Sequence, residues 1–232
     1  MRVCISGAQN TGKGTFIQDF LANWPMYKSS GETYRDIIKE KKLKINKKGT
    51  EENQELILNC LLDEAMKYTR TDNVIHDRGV MDNLVYTLWL VSNKKNKISD
   101  DFVKKSFALF KQAMNFYDII FYIPYDGTIS LDSTKKTRET DVKYIKSIDS
   151  IFKALIARWH NGDKSIYPFD EGGCGAIIDI YGDRQTRIEI AKMYINPEGG
   201  YFGEKDSLIT GEEVNKMSEM LAKAKIDKKL DK

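Results

Sequence analysis

The sequence predicts an α/β fold in three layers, in which a five-stranded parallel sheet is flanked by helices and covered by a helical lid. Two observations support this prediction. A glycine-rich segment follows a short apolar run at the start of the chain. Behind it, short apolar segments alternate with longer segments of helical periodicity, and such alternation is typical of a parallel sheet covered on both faces.

The strands are predicted from short runs of β-branched and aromatic residues, and the helices from apolar residues at intervals of three and four. The first helix, for example, places Phe16, Phe20, Leu21 and Trp24 at helical spacing. The helix predicted at the end of the lid has an apolar stripe of five residues, from Val142 to Leu155. The predicted strands are 2–6, 26–30, 73–77, 118–123 and 176–181, and the predicted helices are about 14–24, 32–41, 51–69, 80–92, 100–115, 141–160 and 185–195.

Length and composition favour one globular domain. The chain has 232 residues, of which 41% are hydrophobic and 31% are charged, whereas disordered chains are poorer in hydrophobic residues. We expect a domain at 1–195, with its lid at about 126–160, and a partly helical, lysine-rich extension at 196–232. The net charge of +3 is too small to indicate nucleic acid by itself, although lysines are concentrated at 39–48.

The three cysteines are an odd number, lie far apart and show no metal-ligand spacing with the two histidines. They therefore indicate reduced thiols in a cytoplasmic protein without zinc. The sequence shows neither a signal peptide nor an apolar stretch as long as a membrane span.

The segment "SGAQNTGKGT" at 6–15 has the spacing of a phosphate-binding loop, with Gly7, four residues, Gly12 and Lys13. The hydroxyl that usually follows the lysine comes one residue later, as Thr15, because Gly14 takes its place. An ordinary glycine turn is the alternative, but the strand before it and the helix after it favour the phosphate site. The glycine spacing of a dinucleotide-binding loop is absent. The predicted nucleotide-binding residues of the loop are Gly7, Asn10, Thr11, Gly12, Lys13, Gly14 and Thr15.

Ligands of parallel sheets bind beyond the carboxyl ends of the strands, so the residues that follow each strand are candidates. Asp77 and Arg78 follow the third strand; they could bind magnesium and phosphate, or Asp77 could merely cap the next helix. Asp82 and Tyr86 share a face of that helix, where an ordinary surface hydrogen bond is the alternative.

Three other strand ends have candidate residues. Glu32 and Arg35 share a face at the start of the second helix, where the helix dipole alone would favour a glutamate. Lys135, Lys136 and Arg138 precede the lid helix and could place a cation over a transferred phosphoryl group. After the fifth strand, Gly182, Arg184 and Arg187 are candidates for contact with the nucleotide base, or simply form a capped helix start.

The order of these segments, from "ISGAQNTGKGT" through "GETYRDI", "GTEENQ", "HDRGVMDNLVY" and "TRETDVKYIKSID" to "DIYGDRQTR", resembles the P-loop kinases of nucleosides and nucleotides. The resemblance is nearest to the AAA-type ATPase/kinase domain that includes nicotinamide riboside kinases, with thymidylate and deoxynucleoside kinases as cousins. It covers about 1–195 and implies a P-loop NTPase-type fold, ATP, Mg²⁺ and transfer of the γ-phosphoryl group to a small nucleoside or nucleotide.

The resemblance also implies roles for individual residues. The implied metal ligands are Thr15 and Asp77. The implied catalytic residues are Lys13, Glu32, Asp77, Arg78 and Arg138, and the implied acceptor-binding residues are Glu32, Arg35, Arg78, Asp82 and Tyr86. Deoxynucleoside kinases keep a glutamate just after the second strand, where Glu32 stands.

Two alternatives stay open. One is a kinase that acts on DNA or RNA and uses the lysines at 39–48, although nucleic acid is not favoured. The other is a regulatory ATPase without a small acceptor, since the same loop serves motor and signalling proteins. We expect no membrane partner, and a homodimer remains open.

Overall fold

The computed structural model describes residues 1–31, 33–93, 97–127, 141–166 and 175–201. They form a five-stranded sheet in the order β2-β3-β1-β4-β5, and every strand pair is parallel. The predicted α/β fold with a parallel sheet is therefore confirmed. The strands are β1 (Arg2–Ser6), β2 (Lys28–Ser29), β3 (Val74–Asp77), β4 (Ile119–Tyr122) and β5 (Ala176–Asp179).

Seven α-helices alternate with these strands in the described ranges, together with short 3-10 turns at Asn46–Lys48 and Met114–Phe116. None of them is long and apolar enough to cross a membrane. The helices are α1 (Lys13–Asn23), α2 (Thr33–Glu40), α3 (Glu51–Met66), α4 (Val80–Ser92), α5 (Asp100–Ala113), α6 (Val142–His160) and α7 (Arg184–Lys192).

Alternate residues of the strands point to opposite faces of the sheet, and each face is covered by a separate apolar cluster. Cys4 and Ile120 contribute to the cluster with α3, α4, α5 and α6, whereas Val3, Ile5 and Phe121 contribute to the cluster with α1 and α7. The sheet is thus the middle of three layers. The loops at the carboxyl ends of its strands lie between the two helical layers.

The predicted second strand is longer than the observed one. Only Lys28 and Ser29 pair with β3, and both are exposed at the edge of the sheet. An edge strand is paired on one side only, so local sequence determines its length less strictly.

The helix predicted at the end of the lid is a core helix. In α6, Ile145, Ile148 and Phe152 are fully buried, and the helix packs against α4. The remainder of the predicted lid, at 128–140, lies outside the described residues.

Residues 196–201 fold back onto the body of the protein. The indole of Trp24 donates a hydrogen bond to the carbonyl of Asn196 at 2.8 Å, and the hydroxyl of Tyr27 donates to the carbonyl of Gly199 at 2.6 Å. The hydroxyl of Tyr201 donates to the carbonyl of Asp118. The start of the predicted extension is therefore attached to the end of α1 and to the sheet.

Candidate functional site

The glycine loop connects β1 to α1, and two glycines determine its path. Gly7 has a φ of 140°, and a Cβ atom there would lie 2.6 Å from the carbonyl oxygen of Ile123. Gly12 has a φ of 86° and caps α1 without a side-chain hydrogen bond. The first backbone N–H groups of α1 therefore have no side-chain acceptor from the cap, and such groups at a helix N-terminus favour an anion.

Lys13 lies under this loop. Its Nζ atom donates hydrogen bonds to the carbonyl oxygens of Gly7, at 2.8 Å, and of Ala8, at 2.5 Å. The side chain is 6% exposed. Burial, reinforced by the charge of Arg78, lowers the pKa of Lys13 to about 7, against the opposing effect of Asp82 and Asp77. The loop thus holds a poorly solvated cation that a phosphate could stabilise.

Two other predicted loop residues shape the backbone. Asn10 has a positive φ of 62°. Thr11 is fully buried, and its hydroxyl donates to the carbonyl of Ala8 at 3.0 Å. The backbone conformation of Asn10 and the hydrogen bond of Thr11 both contribute to the shape of the loop.

Asp77 is at the carboxyl end of β3, next to β1. Its Oδ2 atom lies 2.9 Å from Nη2 of Arg35 on α2. Its Oδ1 atom is buried and has no hydrogen-bond partner among the described residues. A carboxylate oxygen of this kind suits Mg²⁺, which prefers oxygen ligands. Thr15, in the first turn of α1, has an exposed side chain whose hydroxyl is a second oxygen of the right type, so the predicted donor set fits the ion.

Arg78 follows directly and adopts an unusual backbone conformation, with a φ of 78°. Its Nη1 atom lies 2.7 Å from Oδ1 of Asp82 and donates to the carbonyl of Gly7 at 3.3 Å. The other carboxylate oxygen of Asp82 accepts a hydrogen bond from the hydroxyl of Ser6 at 2.7 Å. Asp82 thus holds the guanidinium of Arg78 against the glycine loop. A positive φ in a non-glycine residue costs free energy, and such residues are concentrated at functional sites.

Two tyrosines enclose this guanidinium. The rings of Tyr34 and Tyr86 have their centroids 5.9 and 5.4 Å from its Cζ atom. The hydroxyl of Tyr34 accepts hydrogen bonds from Nε of Arg35, at 2.8 Å, and from Nε of Arg78, at 3.1 Å. The hydroxyl of Tyr86 donates to Oε1 of Gln9 at 2.5 Å. Tyr86, predicted for acceptor binding, is therefore joined to the glycine loop.

Sequence reasoning missed Tyr34 and Gln9. Tyr34 lies between the two candidates of "GETYRD", and Gln9 lies inside the loop motif, so both were within segments already selected. No sequence motif singles out either residue. Tyr34 contacts Arg78, which is 44 positions away, and Gln9 contacts Tyr86, which is 77 positions away.

The turn between β5 and α7 approaches the glycine loop from the other side. Gly182 has a φ of 80°. Arg184 pairs with Asp19 of α1, with an Nη2 to Oδ1 distance of 2.5 Å, and its side chain is exposed. The buried Arg187, the third candidate at this helix start, donates from Nη1 to the carbonyl of Thr11 at 2.9 Å and from Nε to the carbonyl of Gly182 at 3.0 Å.

The other predicted residues are Glu32, Lys135, Lys136 and Arg138, and they lie outside the described residues. Seven of the predicted residues that the structure describes form one contact network at the carboxyl ends of β1 and β3: Gly7, Lys13, Arg35, Asp77, Arg78, Asp82 and Tyr86.

A cavity of about 460 Å³ lies at the opposite end of these strands, lined by Met1, Tyr117, Asp118 and Tyr201 among others. We assign the site to the carboxyl ends, where ligands of parallel sheets bind.

Comparison with known structures identifies the fold. The NadR protein in complex with NR superposes with a TM-score of 0.54 and 14% identity, over 82% of this chain and 47% of that one. A deoxyadenosine kinase from M. mycoides with bound dCTP gives a TM-score of 0.53 and 14% identity, over 82% of this chain and 96% of the kinase. The chain thus spans about half the length of the NadR chain. At such identities the likeness establishes the P-loop kinase-like fold.

Sequence comparison gives the family. No curated protein matches the sequence significantly. A family model described as "AAA domain", however, matches residues 2–162, which include the glycine loop, Asp77, Arg78 and Asp82. Because this match covers more than half of the 232 residues, the chain belongs to the AAA domain family.

Proposed function

We propose that this protein is a kinase that transfers the γ-phosphoryl group of ATP to a small nucleoside or nucleotide. The observation that carries the proposal is the set of cations around the glycine loop. Lys13 and Arg78 both donate to the carbonyl of Gly7, and Arg35 reaches the same strand end through Asp77. Phosphoryl transfer depends mainly on positioning and charge stabilisation, and this set supplies both.

In this proposal the backbone N–H groups at the start of α1 bind the β-phosphate, and Lys13 leaves the carbonyls of Gly7 and Ala8 to bridge the β- and γ-phosphates. Asp77 and Thr15 would hold magnesium, which when bound would neutralise part of the charge of the phosphates. Arg78, fixed by Asp82, faces the phosphoryl group from the acceptor side. Arg138 is the proposed lid cation, and the catalytic unit is 1–195.

The acceptor is the finer part of the proposal. Similar structures are described with NR, with NAD and AMP-PNP, and with dATP or dCTP bound, which favours a nucleoside or nucleotide here. The residues on the acceptor side are Arg35, Arg78, Asp82 and Tyr86, with Tyr34 between the two guanidinium groups. Two aromatic rings beside two arginines suit a ligand with a flat base and polar substituents.

The test is an acceptor screen. ADP formation from ATP is measured with Mg²⁺ and each member of a panel of nucleosides and nucleoside monophosphates, with the phosphorylated product identified by mass. We expect one compound to stimulate ATP consumption strongly and to gain one phosphoryl group. Slow hydrolysis that no panel member stimulates would contradict the small-molecule kinase and favour the regulatory ATPase.

One observation keeps the polynucleotide kinase as a second candidate. Six lysines of 39–48 are exposed, and the backbone that carries them is held in place. The carbonyl of Lys44 accepts a hydrogen bond from the side chain of Asn53 at 2.9 Å, and Lys47 lies 2.7 Å from Asp141 at the start of α6. Steep loss of activity on an oligonucleotide with rising salt would favour this candidate, because each neutralised phosphate releases counterions.

A further inference from the structure

Arg187 connects the two loops between which the proposed nucleotide would lie. It lies one turn into α7, which begins after Asp183, and its side chain is 6% exposed. One nitrogen, Nη1, donates to the carbonyl of Thr11 in the glycine loop, and another, Nε, donates to the carbonyl of Gly182 in the β5–α7 turn. Thr11 immediately precedes Gly12, which caps α1, so the contact is at the base of the phosphate site.

In the part of the chain that the structure describes, this buried charge has no direct counter-charge. Among the described residues Arg187 forms no ion pair within 4 Å, and its guanidinium donates to two backbone carbonyls. Burial lowers the pKa of the guanidinium, although the more distant charges of Asp126 and Asp183 oppose this effect. A buried cation that is not paired is costly, so a purely structural link between these loops would be better made by neutral groups.

An anionic ligand removes part of this cost. Triphosphate charge in the glycine loop would stabilise the guanidinium electrostatically, and an ordered guanidinium in turn fixes the carbonyls of Thr11 and Gly182. Arginine suits this task because its planar group holds several donors in a fixed arrangement. Two of its five N–H groups account for the two contacts described.

We propose that Arg187 is a positioning residue that fixes the glycine loop relative to the β5–α7 turn, so that the phosphates and the base of one nucleoside triphosphate bind cooperatively. This inference rests on the proposed function, since it requires that ATP binds at the glycine loop with its base at the β5–α7 turn. It concerns how the two ends of the nucleotide are coupled, and it is independent of the identity of the acceptor.

The test compares three ligands with the full chain: MgATP, magnesium tripolyphosphate, which has no base, and adenosine, which has no phosphate. Binding is measured by calorimetry for the parent, for Arg187→Gln and for Lys192→Gln. Lys192 lies on the same helix and is exposed, so its variant removes one positive charge without breaking the contacts of Arg187. We expect Arg187→Gln to weaken ATP binding by about tenfold or more, within the range of coupling between sites, and to weaken tripolyphosphate and adenosine binding only slightly. Lys192→Gln should bind all three like the parent.

Other results would overturn the inference. Equal losses for ATP and tripolyphosphate would make Arg187 a direct phosphate ligand, and equal losses for all three ligands would make its role structural. If Arg187→Gln does not fold, Arg187→Lys gives the same comparison, because an ammonium group cannot hold both carbonyls in the geometry of a guanidinium. Failure of the parent to bind ATP would instead overturn the proposed function, and the inference with it.

Discussion

The Nη2 atom of Arg35 lies 2.9 Å from Oδ2 of Asp77, while Oδ1 of the same carboxylate is buried without a hydrogen-bond partner among the described residues. Asp77 therefore has one oxygen engaged by α2 and one available. A carboxylate that only capped the following helix would have its oxygens on backbone N–H groups. At the start of α4 it is Asp82, through Oδ2, that accepts from the backbone N–H of Gly79 at 3.2 Å.

This arrangement predicts how magnesium dependence responds to Asp77→Asn. The amide keeps the shape but loses the negative charge, so we expect the Mg²⁺ concentration for half-maximal activity to rise about tenfold or more. The measurement is a magnesium titration of the kinase assay at saturating ATP. Asp36→Asn, an exposed carboxylate of α2, is the control and should titrate like the parent. An unchanged magnesium requirement in Asp77→Asn would leave Asp77 without a metal role.

Lys13 should make nucleotide binding depend on pH. Since burial lowers its pKa to about 7, a growing fraction of the free protein carries a neutral Lys13 as the pH rises above 7. Bound triphosphate favours the charged form and raises this pKa again. ATP binding at about pH 8 should therefore take up nearly one proton, and affinity should fall as the pH is raised.

Calorimetry in buffers of different ionisation enthalpy measures this uptake directly. Lys13→Met should abolish it, and Lys13→Ala should lower turnover by a factor on the order of 100 or more. Uptake that persists in Lys13→Met would assign the proton to another group and contradict the interpretation.

The loop glycines should differ in their effect on stability. In Gly7→Ala the new Cβ would lie 2.6 Å from the carbonyl of Ile123, at a φ of 140°, so we expect a loss of about 1–3 kcal/mol in the free energy of unfolding. Gly14 lies in the first turn of α1, and a Cβ there meets nothing within 4 Å. Gly14→Ala should keep or slightly increase stability. Denaturant unfolding of both variants measures the difference, and equal losses would be incompatible with the observed backbone.

Glu32→Gln tests the chemistry of the acceptor. A hydroxyl acceptor loses a proton as the new bond forms, whereas a phosphate acceptor is already ionised and needs cations. If Glu32 is the general base, the variant should lower turnover about 100-fold with ATP binding unchanged. Glu40→Gln, at the last residue of α2, is the control.

The opposite pattern would favour a monophosphate substrate. If Glu32→Gln works like the parent and Arg35→Ala alone abolishes acceptor binding, the hydroxyl interpretation is wrong. Steady-state kinetics with the acceptor from the screen separate the two cases, because loss of a base lowers kcat whereas loss of a binding cation raises KM.

Local patterns in the sequence predicted most of the fold. Helix α4 has the predicted bounds, and the five predicted strands are all present, because apolar periodicity reflects which face of an element is buried. The predicted end of α7 at residue 195 is wrong by three residues. Its last turn stops at Lys192, and Met193 and Tyr194 donate instead to carbonyls of Ile190 and Ala191 in short turns.

The site was less predictable than the fold. Asp77 and Arg78 could be selected because the carboxyl end of a buried strand is defined by sequence. The link from Arg187 to Thr11 joins residues 176 positions apart and leaves no local pattern. Arg184 and Arg187 are both candidates at the same helix start by sequence, but the first is exposed and pairs with Asp19 whereas the second is buried against the glycine loop.

Because the two apolar clusters are separate, the residues of one face of the sheet can change in sequence without changing the packing of the other face. The glycine loop is anchored by α1 and α7 on one face of the sheet, whereas Tyr34, Asp82 and Tyr86 belong to helices packed on the other. Apolar residues behind the proposed acceptor side can therefore change without repacking α1 and α7, whereas Asp82 and Tyr86 contact Ser6 and the glycine loop directly. If the proposed function holds, selection for a new acceptor would act mainly on the layer of α2 and α4, and the packing of α1 and α7 against the sheet would be inherited.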